Sequence, residues 1–134
     1  MDHKEAWESY VRYTDATSEH SRTLAFAGVG VCWVLKGSGE LTPLLIHAIG
    51  YFVCFFTADI LHYFLAALMH RWWIRREERR LWNPAQGAKS LDGTYIKPWW
   101  VDSPAFYCFM AKVIFLLTAY VHIGISIFGG TPPA

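Results

Sequence analysis

The sequence predicts an all-α integral membrane protein. It predicts three transmembrane helices, an amphipathic N-terminal helix, and a second helix that runs on into the cytoplasm. Three observations lead there. The chain of 134 residues is 54% hydrophobic, and its apolar residues fall in long blocks. Lysine and arginine gather in one connector. Tryptophans cluster where the apolar blocks meet that connector. The length allows one domain. A net charge of +1 provides no field for nucleic acid, which is not expected as a partner. Cys32, Cys54 and Cys108 lie in apolar segments without CxxC spacing and read as packed free thiols, so no disulfide framework or zinc site is expected. The polar, acidic start does not resemble a cleaved signal peptide.

Residues 1–22 are polar with an apolar stripe of Trp7, Tyr10, Val11, Thr14, Ala16 and Thr17 at helical spacing, an amphipathic helix on or leading into the membrane. Residues 23–36 form the first span. Their apolar stretch is shorter than the roughly 20 residues a full crossing needs, so the span borrows from Ser18 to Arg22, with Arg22 snorkelling. Ala25, Gly28 and Cys32 share a face on which another helix can approach closely, or are ordinary membrane-helix residues. Gly37 to Pro43 is a tight turn, with Thr42 as cap and Pro43 in the first turn of the next helix. The second span is residues 44–70, and its helical pattern continues to about Trp82, where Asn83-Pro84 stops it. Residues 83–103 are a polar connector. Ser103 and Pro104 open the third span, residues 104–128.

Orientation follows from charge. Arg71, Arg75, Arg76, Arg79, Arg80, Lys89 and Lys97 lie between spans two and three, whereas the first loop holds only Lys36. The positive-inside rule puts the N-terminus and this region in the cytoplasm and the C-terminus outside a bacterial inner membrane. Trp72, Trp73, Trp99 and Trp100 mark the boundary. The basic extension Arg71, Arg75, Arg76, Arg79 and Arg80 is a topology signal first. It can also attract anionic lipid headgroups.

On a helical wheel, Ala48, Phe52, Phe55, Asp59, His62, Tyr63, Ala66 and His70 share one sector of the second span. Cys108, Lys112, Phe115, Ala119, His122 and Ser126 share one in the third. Asp59 and Lys112 fall at similar depth, so they are expected to compensate each other's charge, within a chain or between neighbours. Such a pair either fixes helix register or forms the charged constriction of an ion path. His47 and His122 also share a depth. They fit neutral histidines hydrogen-bonded between helices, the lining of a water-filled path, a proton relay with Tyr120, or axial ligands of a haem. No cofactor is expected otherwise. No nucleophile–base pair stands out, and a non-enzymatic role is favoured.

The segments 18–36, 58–80 and 99–128 resemble a group of small bacterial inner-membrane proteins. That group has a polar amphipathic start, "S[DE]xxRxLAxAGI", a span with "DxLxY" leading to an aromatic-basic end, and a third span with a lysine. Glu19, Arg22, Asp59, Tyr63 and Lys112 are the positions that carry the pattern here. Such proteins are similar to membrane components of bacterial antiphage and mobile-element systems, some of which assemble into rings and disrupt the membrane. The resemblance therefore implies a homo-oligomeric effector or pore subunit. An accessory anchor that docks a cytoplasmic partner, and a haem- or quinone-binding subunit using His47 and His122, are the alternatives.

Overall fold

The computed structural model describes residues 3–87 and 97–129, with the backbone alone at residues 3, 4, 6 and 7. Lys89, much of the connector and the side chain of Trp7 lie outside the described residues. Three α-helices carry the rest: α1, His3–Lys36; α2, Pro43–Leu81; and α3, Ser103–Phe128. A 3-10 turn, Trp99–Val101, precedes α3. No strand occurs among the described residues.

The helix ends are set by local chemistry. Gly37 has φ 57°, the left-handed value that lets a chain leave a helix, and its N–H donates to Val34 O at 3.1 Å. Thr42 caps α2 as its position predicts: its Oγ1 accepts from Leu45 N at 3.4 Å and its carbonyl from Ile46 N at 3.0 Å. After Leu81, Asn83 turns the chain by accepting from Ala85 N at its side chain, 3.0 Å, and from Gly87 N at its carbonyl, 3.0 Å. At α3 the first carbonyl acceptor is Asp102, which takes Phe106 N at 3.0 Å. The N-cap is thus Asp102, one residue before the expected Ser103 cap, and Lys97 pairs with it at 2.6 Å.

Residues 3–36 are one helix rather than a surface helix followed by a separate span. No glycine or proline interrupts residues 3–27, so nothing breaks the hydrogen-bond ladder. The buried face of α1 also differs from the expected stripe. Tyr10 and Val11 are exposed, whereas Ser18, Ser21, Ala25, Gly28 and Cys32 are buried. Their alternating spacings of three and four give a narrow seam of small side chains, which admits a close neighbour.

Contacts divide the chain into two units, residues 1–57 with 111–134, and residues 58–110. In the first, α1 runs antiparallel to the start of α2 and parallel to the end of α3. Phe26 lies 4.8 Å from Phe56, ring to ring. The Tyr120 hydroxyl donates to Leu24 O at 2.7 Å. The core joins Ala25 and Cys32 with Leu45, Ala48, Phe52 and Phe55, and with Leu116, Ala119 and Ile123. All three helices thus meet along one seam of period 3.5.

At Gly28, α1 closely approaches the Phe52 side chain of α2. A Cβ built there would lie 2.2 Å from the tip of the Phe52 ring, which is itself buried in the core. Gly30 faces open space. Gly28→Ala is therefore expected to destabilise by about 1–3 kcal/mol through overpacking. Gly30→Ala should be neutral or slightly stabilising. Thermal unfolding of the two variants in detergent compares them directly, and equal midpoints would contradict this packing.

In the second unit Trp73, Val101 and Ala105 are buried. Trp72 meets Trp100 edge to face at 5.5 Å, and His62 meets Phe109 at 6.0 Å.

Among the described residues, α2 and α3 are long and apolar enough to cross a membrane. Only 33% and 22% of their most apolar stretches are buried within the chain, whereas the core helix of a soluble protein is mostly buried. Helix α1 does not reach the same hydropathy, because its apolar part is confined to its second half.

Candidate functional site

The intramembrane polar face expected from the sequence is Asp59, His62, Tyr63, Lys112, His122 and His47, and the two units hold different parts of it.

In the first unit Lys112 is 0% exposed, and its Nζ donates to Ser18 Oγ at 2.9 Å. An ammonium so placed has lost its water, so each hydrogen bond it retains matters. The geometry comes from the α1 seam. Ser18 sits two heptad steps before Cys32 on the small face, and only a short side chain leaves room for a lysine stem. Ser21, also buried, lies three residues further along the same seam.

Nearer the other end of this unit, His47 and His122 come together, with ring centroids 6.0 Å apart and planes at 45°. Tyr51 packs on His122 at 5.1 Å and on Phe115 at 6.4 Å. His122 Nδ1 lies 2.8 Å from Thr118 O. A carbonyl can only accept, so Nδ1 carries the hydrogen and Nε2 keeps the lone pair in the neutral ring. His47 itself is exposed.

In the second unit Asp59 is 7% exposed. His62 is half-buried and touches Tyr63 at 4.9 Å, while Tyr63 is 47% exposed and does not share the inward side with Asp59. On the wheel Tyr63 sits about 40° beyond Asp59, far enough to leave a narrow seam. His70 is half-buried, with Nδ1 2.9 Å from Ala66 O.

The basic extension is exposed at Arg71, Arg75, Arg76, Arg79 and Arg80. Arg76 lies over the Trp72 ring at 5.7 Å, and Arg80 pairs with Glu77 at 2.6 Å. A recess of about 230 Å³ is bounded by Trp73, Arg76, Glu77, Arg80, Pro98 and Trp100.

Hydroxyls elsewhere on the apolar helices are satisfied by their own backbone. Thr57 donates to Val53 O at 2.9 Å and Thr118 to Ile114 O at 2.8 Å. Each of these hydroxyls is thus satisfied within its own helix. No group of three or more His, Cys, Asp or Glu side chains suited to a metal ion occurs among the described residues.

The residues that sequence reasoning missed are Ser18 and Ser21. Their signal was present: small residues continue the Ala25–Gly28–Cys32 series toward the N-terminus at the same spacing. Comparison with protein-family models, curated proteins and solved structures finds no match.

Proposed function

We propose that the chain is a three-span inner-membrane protein that acts as an oligomeric membrane effector, a subunit of an ion-permeable assembly. The observation that carries this reading is the buried cation. Lys112 sits with Ser18 inside helices whose outer surface is apolar. An ionisable group is costly to keep at such a depth and marks function more often than packing. In a single chain the lysine is sealed, so this arrangement represents a closed state, and assembly or a trigger would expose the seam.

The third crossing is supported by α1. Its seam packs on the apolar parts of α2 and α3, and Leu24, Phe26, Trp33 and Val34 point outward and are exposed. From Ser18 to Lys36 it is about 27 Å long, close to the roughly 30 Å of a hydrocarbon core. The arginine-rich end of α2 supports a cytoplasmic N-terminus and an external C-terminus. The effector class is what the resemblance of segments 18–36, 58–80 and 99–128 implies.

Expression of the protein in bacteria carrying a potential-sensitive dye tests the reading. The wild type is expected to depolarise the inner membrane, and Lys112→Met, inserted at the same level, to lose most of that effect. Equal depolarisation by both, or a strict monomer in mild detergent, would contradict it.

Two other readings each rest on one observation. The recess between Trp73, Arg76, Arg80 and Trp100 favours an anchor that docks a cytoplasmic protein. The approach of His47 to His122 favours a haem- or quinone-binding subunit. A purified sample without a Soret band removes the haem form.

A further inference from the structure

The five arginines at the end of α2 are not equivalent. Arg76 is engaged over Trp72, and Arg80 by Glu77. Arg71, Arg75 and Arg79 lie at successive spacings of four, on one stripe, and none has a partner among the described residues. They line a groove of about 540 Å³ together with His70, Ile74 and Glu78. Three guanidinium groups thus face one carboxylate there.

That arrangement is unfavourable by itself. Like charges four residues apart on a helix repel one another, and nothing on the stripe offsets the repulsion except Glu78. A guanidinium fork is suited to bind two oxygens of a phosphate at once. The stripe spans two turns, about 12 Å, enough for more than one phosphate. It also begins at the residue after the apolar segment 44–70, next to Trp72, where an aromatic belt would meet the headgroups.

We infer that the Arg71–Arg75–Arg79 stripe is a binding site for the phosphate groups of anionic phospholipids; Arg76 borders Arg75 and Arg79 in a second recess, where the Trp72 ring engages it. The inference rests on α2 crossing the bilayer. Its occupant is a lipid rather than an acidic protein, because the stripe lies at the level of the headgroups and Ile74 supplies an apolar step beside the charges.

The test uses the full chain in nanodiscs of phosphatidylcholine, into which phosphatidylglycerol is titrated, with bound lipid counted by native mass spectrometry. Two charge-matched variants are compared, Arg75→Gln/Arg79→Gln and Arg76→Gln/Arg80→Gln. The first is expected to weaken phosphatidylglycerol binding by roughly 25-fold, about fivefold per arginine. The second is expected to change it by less than about threefold. Arg75→Lys/Arg79→Lys keeps both charges but loses the fork, so its affinity should fall between those of the wild type and the Arg75→Gln/Arg79→Gln variant, which also guards against a folding defect. Equal loss in both glutamine variants would reduce the stripe to diffuse charge and overturn the inference. So would displacement of the lipid by millimolar inorganic phosphate, or binding of an acidic peptide without any lipid preference. Carbonate extraction separates the two claims. Release from membranes would overturn the span itself, whereas retention without lipid selectivity would overturn only the site.

Discussion

Lys112→Met is expected to destabilise the protein by about 3–5 kcal/mol, although methionine matches the lysine stem in size. Removing one member of a buried polar set leaves the others without compensation, and that deficit exceeds the desolvation saved. Ser18 loses its donor. Asp59, 7% exposed, is the counter-charge that the depth argument from the sequence assigns to Lys112. With Asp59 as the counter-charge, Asp59→Asn is expected to restore most of the stability lost in Lys112→Met, because a neutral amide needs no cation. Thermal unfolding in detergent, followed by size-exclusion recovery, gives the two differences. An additive double variant would show that the lysine is balanced elsewhere. The same pair of variants separates two roles. Restored folding together with restored depolarisation assigns the charges to helix register. Restored folding without activity assigns them to the ion path.

Phe52→Ala is expected to cost about 3–5 kcal/mol, as for other buried aromatic truncations. Phe52 is 1% exposed, meets Tyr120 edge to face at 5.9 Å, and fills the space that Gly28 leaves open. Removing the ring opens a cavity where α1, α2 and α3 join. The coupling is specific: in the Phe52→Ala background, Gly28→Ala should lose its penalty, since the atom it would strike is gone. A full penalty for Gly28→Ala in that background would mean that the helices do not approach there.

Much of this was legible in the sequence, and what was not has physical causes. The extent of α2 could be read because its apolar run, its tryptophans and its arginines each mark a different zone of one helix. The Thr42–Pro43 start and the Asn83 stop could be read because their side chains act on the nearest backbone groups. The inward positions Ala48, Phe52, Phe55, Lys112 and Ala119 followed from period alone, and all are buried. The face of α1 did not follow. Hydrophobicity drew attention to Tyr10 and Val11, which are exposed, whereas the close approach to Phe52 selects for smallness, and serine scores as polar. Ser18 as a hydrogen-bond acceptor for Lys112 was out of reach for a second reason. It lies 94 residues away in the chain, and no local pattern encodes that pairing.

The central claim is that α1 shares the bilayer with α2 and α3 and brings Ser18 to the buried lysine. Three crossings leave the two ends of the chain on opposite faces of the membrane, and two crossings leave them on the same face. Reporters active in only one compartment, fused in turn to the N- and C-termini of the full chain in bacteria, distinguish these outcomes directly. The account predicts a cytoplasmic signal from the N-terminal fusion and an external one from the C-terminal fusion. Both signals from the same compartment would contradict it.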